Sequence, residues 1–259
     1  MSGRDIDAGG APPVPLQAAT PGRLARWRDS DLLASFLRSK TAIVALLATI
    51  LMVGLAVAAP LISPQNPYDP AQLDLINSNL PPIWQADGQA PFYLGTDDQG
   101  RDVLSAVLYG LRLSLIVGVL GVITSGIIGI ALGLIAGYAG GALDTLIMRV
   151  ADVQLTFPAI LIALVVDGVA RASFGGALDV GPLIGLIVIS IGLSFWVQYA
   201  RTVRSSVMVE KGKDYVQAAR LIGLTPPVIL VRHVLPNVTG PVFVIATINL
   251  ALAIITEAT

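Results

Sequence analysis

From residue 41 to residue 62 not one side chain carries a charge. At about 1.5 Å per residue, a helix of that length crosses a hydrocarbon core of roughly 30 Å, so the run predicts a spanning helix. Four further apolar runs follow, at about 113–136, 143–166, 183–200 and 241 to the end of the sequence. Charged residues make up only 13% of the chain and mean hydropathy is +0.77, whereas a soluble domain carries about a quarter charged residues. The expectation is an all-α polytopic membrane protein with five spanning helices. A cleaved signal ending at Ala56-Val57-Ala58 is the rival for the first run, and it fails on the length of the polar stretch that precedes it.

Composition closes several other doors. Cysteine is absent, which removes disulfides, thiolate metal sites and cysteine nucleophiles together. The single histidine, His233, leaves little for a histidine-based metal site or triad, and no metal site is expected. A net charge of −1 gives no argument for nucleic-acid binding.

Residues 1–40 begin with glycine and proline and have few apolar anchors, so they predict a flexible tail. Residues 63–112 follow the first spanning helix (41–62) as a loop and short helix, rich at first in proline, asparagine and aspartate. Within them stands Gly95-Thr96-Asp97-Asp98-Gln99-Gly100-Arg101-Asp102, followed by apolar residues at helical spacing. Thr96 or Asp97 is the expected N-cap, with carboxylates near the positive end of the helix dipole. The functional alternative places Gly95, Thr96, Asp97, Gly100, Arg101 and Asp102 on the outer face near the mouth of a pathway.

Charge asymmetry between loops assigns an orientation. Arg4, Arg23, Arg26, Arg28, Arg38 and Lys40 precede the first run, and Arg201, Arg204, Lys211, Lys213, Arg220 and Arg232 follow the fourth. Both groups fall on one face if the runs alternate in direction, while the opposite loops hold mainly aspartates with Arg101 and Arg171. By the positive-inside rule the N-terminus and the loop at about 205–238 are cytoplasmic.

The second run carries Gly118, Gly121, Gly126, Gly129, Gly133 and Gly137, small residues at the spacing that lets helix backbones approach where lipid supplies no hydrophobic drive. In the third run Arg149 and Asp152 lie three apart on one face, and an unpaired charge there is costly, so an intramembrane pair is expected. Phe157-Pro158 interrupts the same run, either lining a pathway or shaping packing. Phe195, Trp196 and Tyr199 read as pathway residues or, more readily, as interfacial anchors.

The longest charged segment between apolar runs spans residues 214–237. Val216, Ala219 and Ile222 suggest an amphipathic helix that begins near Asp214 and stops at Gly223 in the left-handed conformation. Thr225 as N-cap and Pro226 at the first helical position then open a second short helix. Ala218 and Ala219 offer a small, smooth surface for a partner's groove; the alternative is an amphipathic loop lying on the membrane.

This segment resembles the EAA motif of the membrane subunits of bacterial ABC importers, through Gln217-Ala218-Ala219, Gly223 after three intervening residues, and Leu235-Pro236. The wider match is similar to the peptide and nickel permease branch, of the DppC and OppC type. It takes in the 94–105 motif, Gly137-Tyr-Ala-Gly-Gly141, Asp144, Met148-Arg149, Asp152, Phe157-Pro158, Tyr199-Ala-Arg201, Val203-Arg204, Tyr215 to Ala219, Arg232-His233, Leu235-Pro-Asn237 and Glu257-Ala258. Gln217 stands where the motif usually has glutamate, which keeps hydrogen bonding and removes a charge. The branch normally continues past Glu257-Ala258 into a sixth spanning helix, so a truncated sequence is expected.

The resemblance implies a type I ABC importer transmembrane domain, with residues 113–259 as the permease core, in the bacterial cytoplasmic membrane. It implies a second, DppB- or OppB-like permease, two DppD- or DppF-like ATP-binding subunits that carry the ATP and magnesium, and an external substrate-binding protein. It further implies that Tyr215, Gln217, Ala218, Ala219, Gly223, His233, Leu235 and Pro236 couple this chain to the ATPase. The sequence contains no G-x-x-x-x-G-K-[ST] phosphate loop, so hydrolysis falls to another chain. Di- or oligopeptides are the expected cargo, with nickel chelates or haem as alternatives in the same architecture. A stand-alone secondary transporter or channel would need embedded coupling charges or inverted repeats, and the sequence offers few of the former and no clear repeat.

Overall fold

The computed structural model describes residues 31–174 and 180–257. The part of the expected tail at 1–30, with Arg4, Arg23, Arg26 and Arg28, lies outside the described residues. So do Asp179 and Ala258. Among the described residues the chain is almost wholly helical, and an isolated bridge between Thr96 and Asp102 is its only β pairing.

Helix α1, Asp31–Arg38, precedes α2, Lys40–Ile62, which coincides with the first apolar run. The chain divides into two compact units, residues 1–51 and 52–259, and the elements described below belong to the second.

Helix α3, Val103–Ala139, extends for 37 residues, about 55 Å at helical rise. The separate short helix expected before the second run is thus the first part of α3. Its N-cap is Asp102 rather than Thr96 or Asp97: the Asp102 carboxylate accepts from the Ser105 N–H at 2.7 Å and from the Ser105 hydroxyl at 2.6 Å. Thr96 and Asp97 are occupied otherwise, holding the preceding loop together.

After Gly140 come α4, Gly141–Thr156, and α5, Ala159–Phe174, which meet at 93° across Phe157-Pro158. Pro158 has no N–H for the helical ladder and its ring crowds the carbonyl four residues back, so the third run is broken outright, not merely kinked. Helix α6, Val180–Glu210, is followed by α7, Asp214–Leu221, and α8, Pro226–Ile229. A π turn, Leu230–Val234, joins α8 without a break to α9, Leu235–Glu257. The second short helix expected at Pro226 is therefore the beginning of a 32-residue helix. Pro236, which lacks an N–H, follows directly on the wider turn, where the Leu235 N–H donates to the Leu230 carbonyl. Among the described residues four helices are long and apolar enough to cross a membrane, or five if α4 and α5 together form one bent span.

Helices α3 and α6 pack along a seam of glycine. A Cβ added at Gly121 would lie 2.6 Å from the Ile191 side chain, at Gly129 2.3 Å from the Trp196 carbonyl, at Gly133 2.6 Å from the Ala200 carbonyl, and at Gly137 2.8 Å from the Arg204 carbonyl. Both sets of numbers rise together, so the two helices run parallel. The chain between them must return to its starting end, and α4 with α5 makes that crossing. Helix α9 runs the other way: Gly118 in the first half of α3 meets Leu250 and Ile254, while Val238 near the start of α9 packs into one cluster with Leu134 near the end of α3. The second to fifth runs thus alternate in direction.

Candidate functional site

The 214–237 segment is bonded into the bundle on one side and open on the other. Helix α7 ends in a paired set of turn bonds: the Gly223 N–H donates to the Arg220 carbonyl at 3.0 Å and the Leu224 N–H to the Ala219 carbonyl at 3.1 Å. This pattern needs a left-handed residue at its centre, and Gly223 has φ +81°. Nothing lies within 4 Å of a Cβ placed there, so the glycine is required by backbone conformation and not by crowding. Leu224 then packs against the cluster that contains Ala219, completing the motif.

The inner face of α7 is Val216 and Ala219, which join Leu134 of α3, Val203 and Val207 of α6, and Ile229, Val234 and Val238 of the last helix in one buried cluster. The outer face is Gln217, Ala218, Arg220, Leu221 and Ile222; the last two are 88% and 75% exposed. The smooth surface expected from both alanines is therefore divided. Ala218 is open, but Ala219 is 3% exposed and belongs to the core, because residues three apart from Val216 share its face.

Polar bonds fix the frame around this core. The Tyr215 hydroxyl donates to Glu210 Oε2 at 2.5 Å and accepts from Asn237 Nδ2 at 3.2 Å, and Asn237 Nδ2 also donates to the His233 carbonyl at 2.7 Å. Burial, the bond to Glu210 and its negative charge push the Tyr215 hydroxyl above its ordinary pKa, despite the Asn237 bond, and keep it a donor. Lys213 Nζ donates to the other Glu210 oxygen at 2.7 Å, and Lys211 Nζ to the Gly137 carbonyl at 2.8 Å. Gln217 Nε2 donates to the Lys211 carbonyl at 3.1 Å. The Arg220 guanidinium sits 4.9 Å from the Tyr138 ring centroid, within cation–π range. Leu235 is half-buried against the cluster and Pro236 is exposed.

The charged pair expected between Arg149 and Asp152 does not form. Asp152 instead makes an ion pair with Arg201 of α6, and Asp144 binds the Arg204 guanidinium through both oxygens, Nη2 to Oδ2 at 2.6 Å. Helix α4 runs antiparallel to α6 beside it, so two acids on α4 each meet a base on α6. Partners so far apart in sequence (152 and 201, 144 and 204) leave no periodic trace that a single sequence displays.

At the opposite end of α3 the 95–102 motif is a loop clasp. Thr96 Oγ1 accepts from the Leu80 N–H at 2.9 Å and donates to the Asn77 carbonyl. Asp97 Oδ1 accepts from the N–H groups of Gln99 and Arg101 at 2.8 and 2.9 Å, and Oδ2 from Arg101 Nε at 2.7 Å. Partial burial raises the Asp97 pKa, but these bonds and the Arg101 charge outweigh it and hold the carboxyl below its ordinary value. Gly100, at φ +74°, leaves no room for a side chain, since a Cβ would lie 2.2 Å from the Asp74 carbonyl; Gly95 abuts the Leu80 carbonyl in the same manner.

Phe157 and Pro158 are exposed at the α4–α5 bend. Phe195, Trp196 and Tyr199 are 9%, 5% and 1% exposed and pack inside the bundle, which removes the reading of these three as interfacial anchors. Sequence reasoning passed over the role of Glu210 as the acceptor that joins Tyr215 to Lys213, and the bond from the Ser114 hydroxyl to Glu257 Oε2 at 2.6 Å.

Fold and site together define a polytopic α-helical membrane protein with a short helix and glycine turn packed on one end of its bundle. Comparison with known proteins makes the class particular. Residues 129–259 match the family described as the binding-protein-dependent transport system inner membrane component, and residues 26–82 match the N-terminal TM domain of oligopeptide transport permease C. The chain belongs to this family of ABC transport permeases. It is 34% identical over 224 residues to the dipeptide transport system permease protein DppC of Haemophilus influenzae, covering 86% of this chain and 72% of that protein. It is 38% identical to the di/tripeptide transport system permease protein DppC of Pseudomonas aeruginosa, covering 86% and 70%. With the oligopeptide transport system permease protein OppC of Bacillus subtilis it shares 32% over 235 residues, covering 91% and 70%.

Proposed function

We propose that this chain is one of two permease subunits of an ATP-driven importer that carries short peptides across the bacterial cytoplasmic membrane, with its N-terminus in the cytoplasm. Three relatives that bear dipeptide, di/tripeptide and oligopeptide names favour peptides over nickel chelates or haem as cargo. ATP and magnesium are bound and hydrolysed by separate subunits, and an external binding protein delivers the substrate. The 214–236 segment docks in the ATPase, and the loop clasp at 95–102 shapes the outer face.

One observation carries the coupling role. Helix α7 shares a single buried cluster with α3, α6 and α9, yet turns Leu221 and Ile222 outward, a pair of large apolar side chains left exposed among the described residues. A force applied to those two residues is delivered to three spanning helices at once. Rigid-body rocking of a bundle around a central path is how such a force becomes alternating access.

The test is Gly223→Val. With φ at +81° the substitution costs roughly 1–2 kcal/mol of left-handed strain, enough to unmake the turn without disturbing the bundle. The expected outcome is normal membrane insertion, loss of ATPase co-purification in mild detergent, and loss of dipeptide uptake in cells that lack their own peptide importer. Wild-type uptake by the variant would refute the role of the turn.

A further inference from the structure

Between α5, α6 and the last turn of α9 lies a groove of about 430 Å³, within the range of roughly 300–1,000 Å³ typical of small-molecule sites. Its walls are mostly aliphatic, with Phe195 at one side, yet three ionisable groups line it: Asp167, Arg171 and Glu257. Asp167 and Arg171 stand towards the end of α5 and Glu257 at the end of α9, at the rim of the apolar bundle, where ionisable groups that do not fully serve one another are available to a ligand. Here they serve one another only in part. Arg171 Nε donates to both Asp167 oxygens, at 3.0 and 2.8 Å, which leaves the two terminal guanidinium nitrogens as separate donors. Glu257 Oε2 accepts from the Ser114 hydroxyl at 2.6 Å, and a neutral hydroxyl does not balance its charge.

Two hydroxyls lie on the α6 wall. Ser190 donates to the Leu186 carbonyl at 2.9 Å and Ser194 to the Ser190 carbonyl at 2.8 Å, so each has spent its hydrogen and keeps oxygen lone pairs as acceptors. The groove therefore offers a carboxylate for a cation, guanidinium donors for an anion, and hydroxyl acceptors for N–H groups.

We propose that this groove receives the charged ends of a short peptide, with its ammonium at Glu257 and its carboxylate at Arg171. The proposal rests on the peptide-importer reading above and adds the residues of this chain that hold the cargo in transit. A zwitterionic lipid headgroup carries the same pair of charges, but its acyl chains bring no N–H group to Ser190 and Ser194, which favours the peptide.

Because the chain contains no cysteine, Ser194→Cys introduces a single reporter on the groove wall. The assembled transporter, with its binding protein and a non-hydrolysable ATP analogue, is placed in nanodiscs and treated with a maleimide. Modification of this chain is then read by mass spectrometry. Saturating alanylalanine should slow modification at least about tenfold, the equivalent of 1.4 kcal/mol of occupancy. N-acetylalanylalanine amide should not, and Glu257→Gln or Arg171→Gln should abolish the protection. Equal protection by both peptides, none by either, a thiol that never reacts because the second permease covers it, or protection that follows phosphatidylethanolamine content would each overturn the proposal. If Ser194→Cys does not assemble, Leu183→Cys on the same wall replaces it. Uptake of alanylalanine by cells that carry the wild-type chain separates the two levels: uptake without protection refutes the groove alone, and absence of uptake refutes the importer reading on which it stands.

Discussion

Gly129→Ala adds one methyl group at the tightest point of the seam between α3 and α6. Its Cβ would stand 2.3 Å from the Trp196 carbonyl oxygen, 2.5 Å from the Tyr199 Cβ and 3.0 Å from the Ala200 nitrogen. Carbon and carbonyl oxygen approach to about 3.3 Å, so the helices must part locally by about 1 Å. Two of the three obstacles are backbone and the third is fixed to it, so no side-chain rotation gives relief. A gap of that size forfeits a quarter to a half of the dispersion attraction of each pair it opens. Neighbouring contacts at Gly133 and Gly137 lie along the same line and open with it. Overpacking of this kind costs typically 1–3 kcal/mol, and the obstruction by backbone places Gly129→Ala at the upper end, about 3 kcal/mol, or about a hundredfold in the folded population. Gly110→Ala in the same helix is the control, since nothing lies within 4 Å of its added Cβ. Reversible unfolding of the purified chain in mixed micelles, followed by tryptophan fluorescence, measures both. Equal stability of the two variants would refute the account of the seam.

Charge pairing between α4 and α6 predicts that Asp152→Asn couples with Arg201→Gln by a few tenths to about 1 kcal/mol in a double-mutant cycle, as exposed pairs do, and does not couple with Arg149→Gln. Asp97 predicts an acid limit. Its lowered carboxyl pKa gives stability that is fully present above the ordinary carboxylate value of about 3.9 and is lost as pH falls through the lower folded value. Asp97→Asn should therefore weaken amide-exchange protection at Asn79 and Thr96 at neutral pH, with the difference from wild type vanishing in strong acid. Tyr215→Phe removes the donor to Glu210 and the acceptor for Asn237, at a cost of about 1–3 kcal/mol, and should speed amide exchange through α7 while leaving α3 unchanged.

What the sequence discloses and what it hides follow from the range of the interaction. Helix α2 was legible because an uncharged run of spanning length is a local property, and the turn at Gly223 because a left-handed residue between a polar helix and a proline has few alternatives. The glycines of α3 announced close packing but not its partner, since small residues at helical spacing suit any neighbour. Pairs such as Asp144 with Arg204 and Asp152 with Arg201 are set by which helix lies beside which, a matter of topology. The cap of α3 was misplaced for a related reason: Thr96, Asp97 and Asp102 are all good capping residues, and the choice among them falls to a loop fold that spends the first two on Leu80, Asn77, Gln99 and Arg101. A proline such as Pro236 ordinarily stops a helix, whereas the π turn before it lets the helix pass.

That passage of the helix through Pro236 bears on coupling. If the element after Gly223 were a separate short helix, motion at the docking surface would be absorbed by a second loop before reaching the membrane. In the continuous form Pro226 to Glu257 is one rod, and its far end holds Glu257 at the groove lined by Asp167 and Arg171. The rod is interrupted between Pro226 and that groove by the π turn and by Pro241, which removes a further backbone hydrogen bond. On the proposed coupling role, displacement of Leu221 and Ile222 would pass through Val216 and Ala219 to Ile229 and Val234, which share their cluster, and along the rod to Glu257. Helices α3 and α6, locked by the glycine seam, share the same cluster, whereas α5 packs on α6 beyond the bend at Pro158. In the coupling role proposed above, a displacement at Leu221 and Ile222 is therefore expected to reach the groove through Glu257 rather than through α5, which the bend at Pro158 separates from α4.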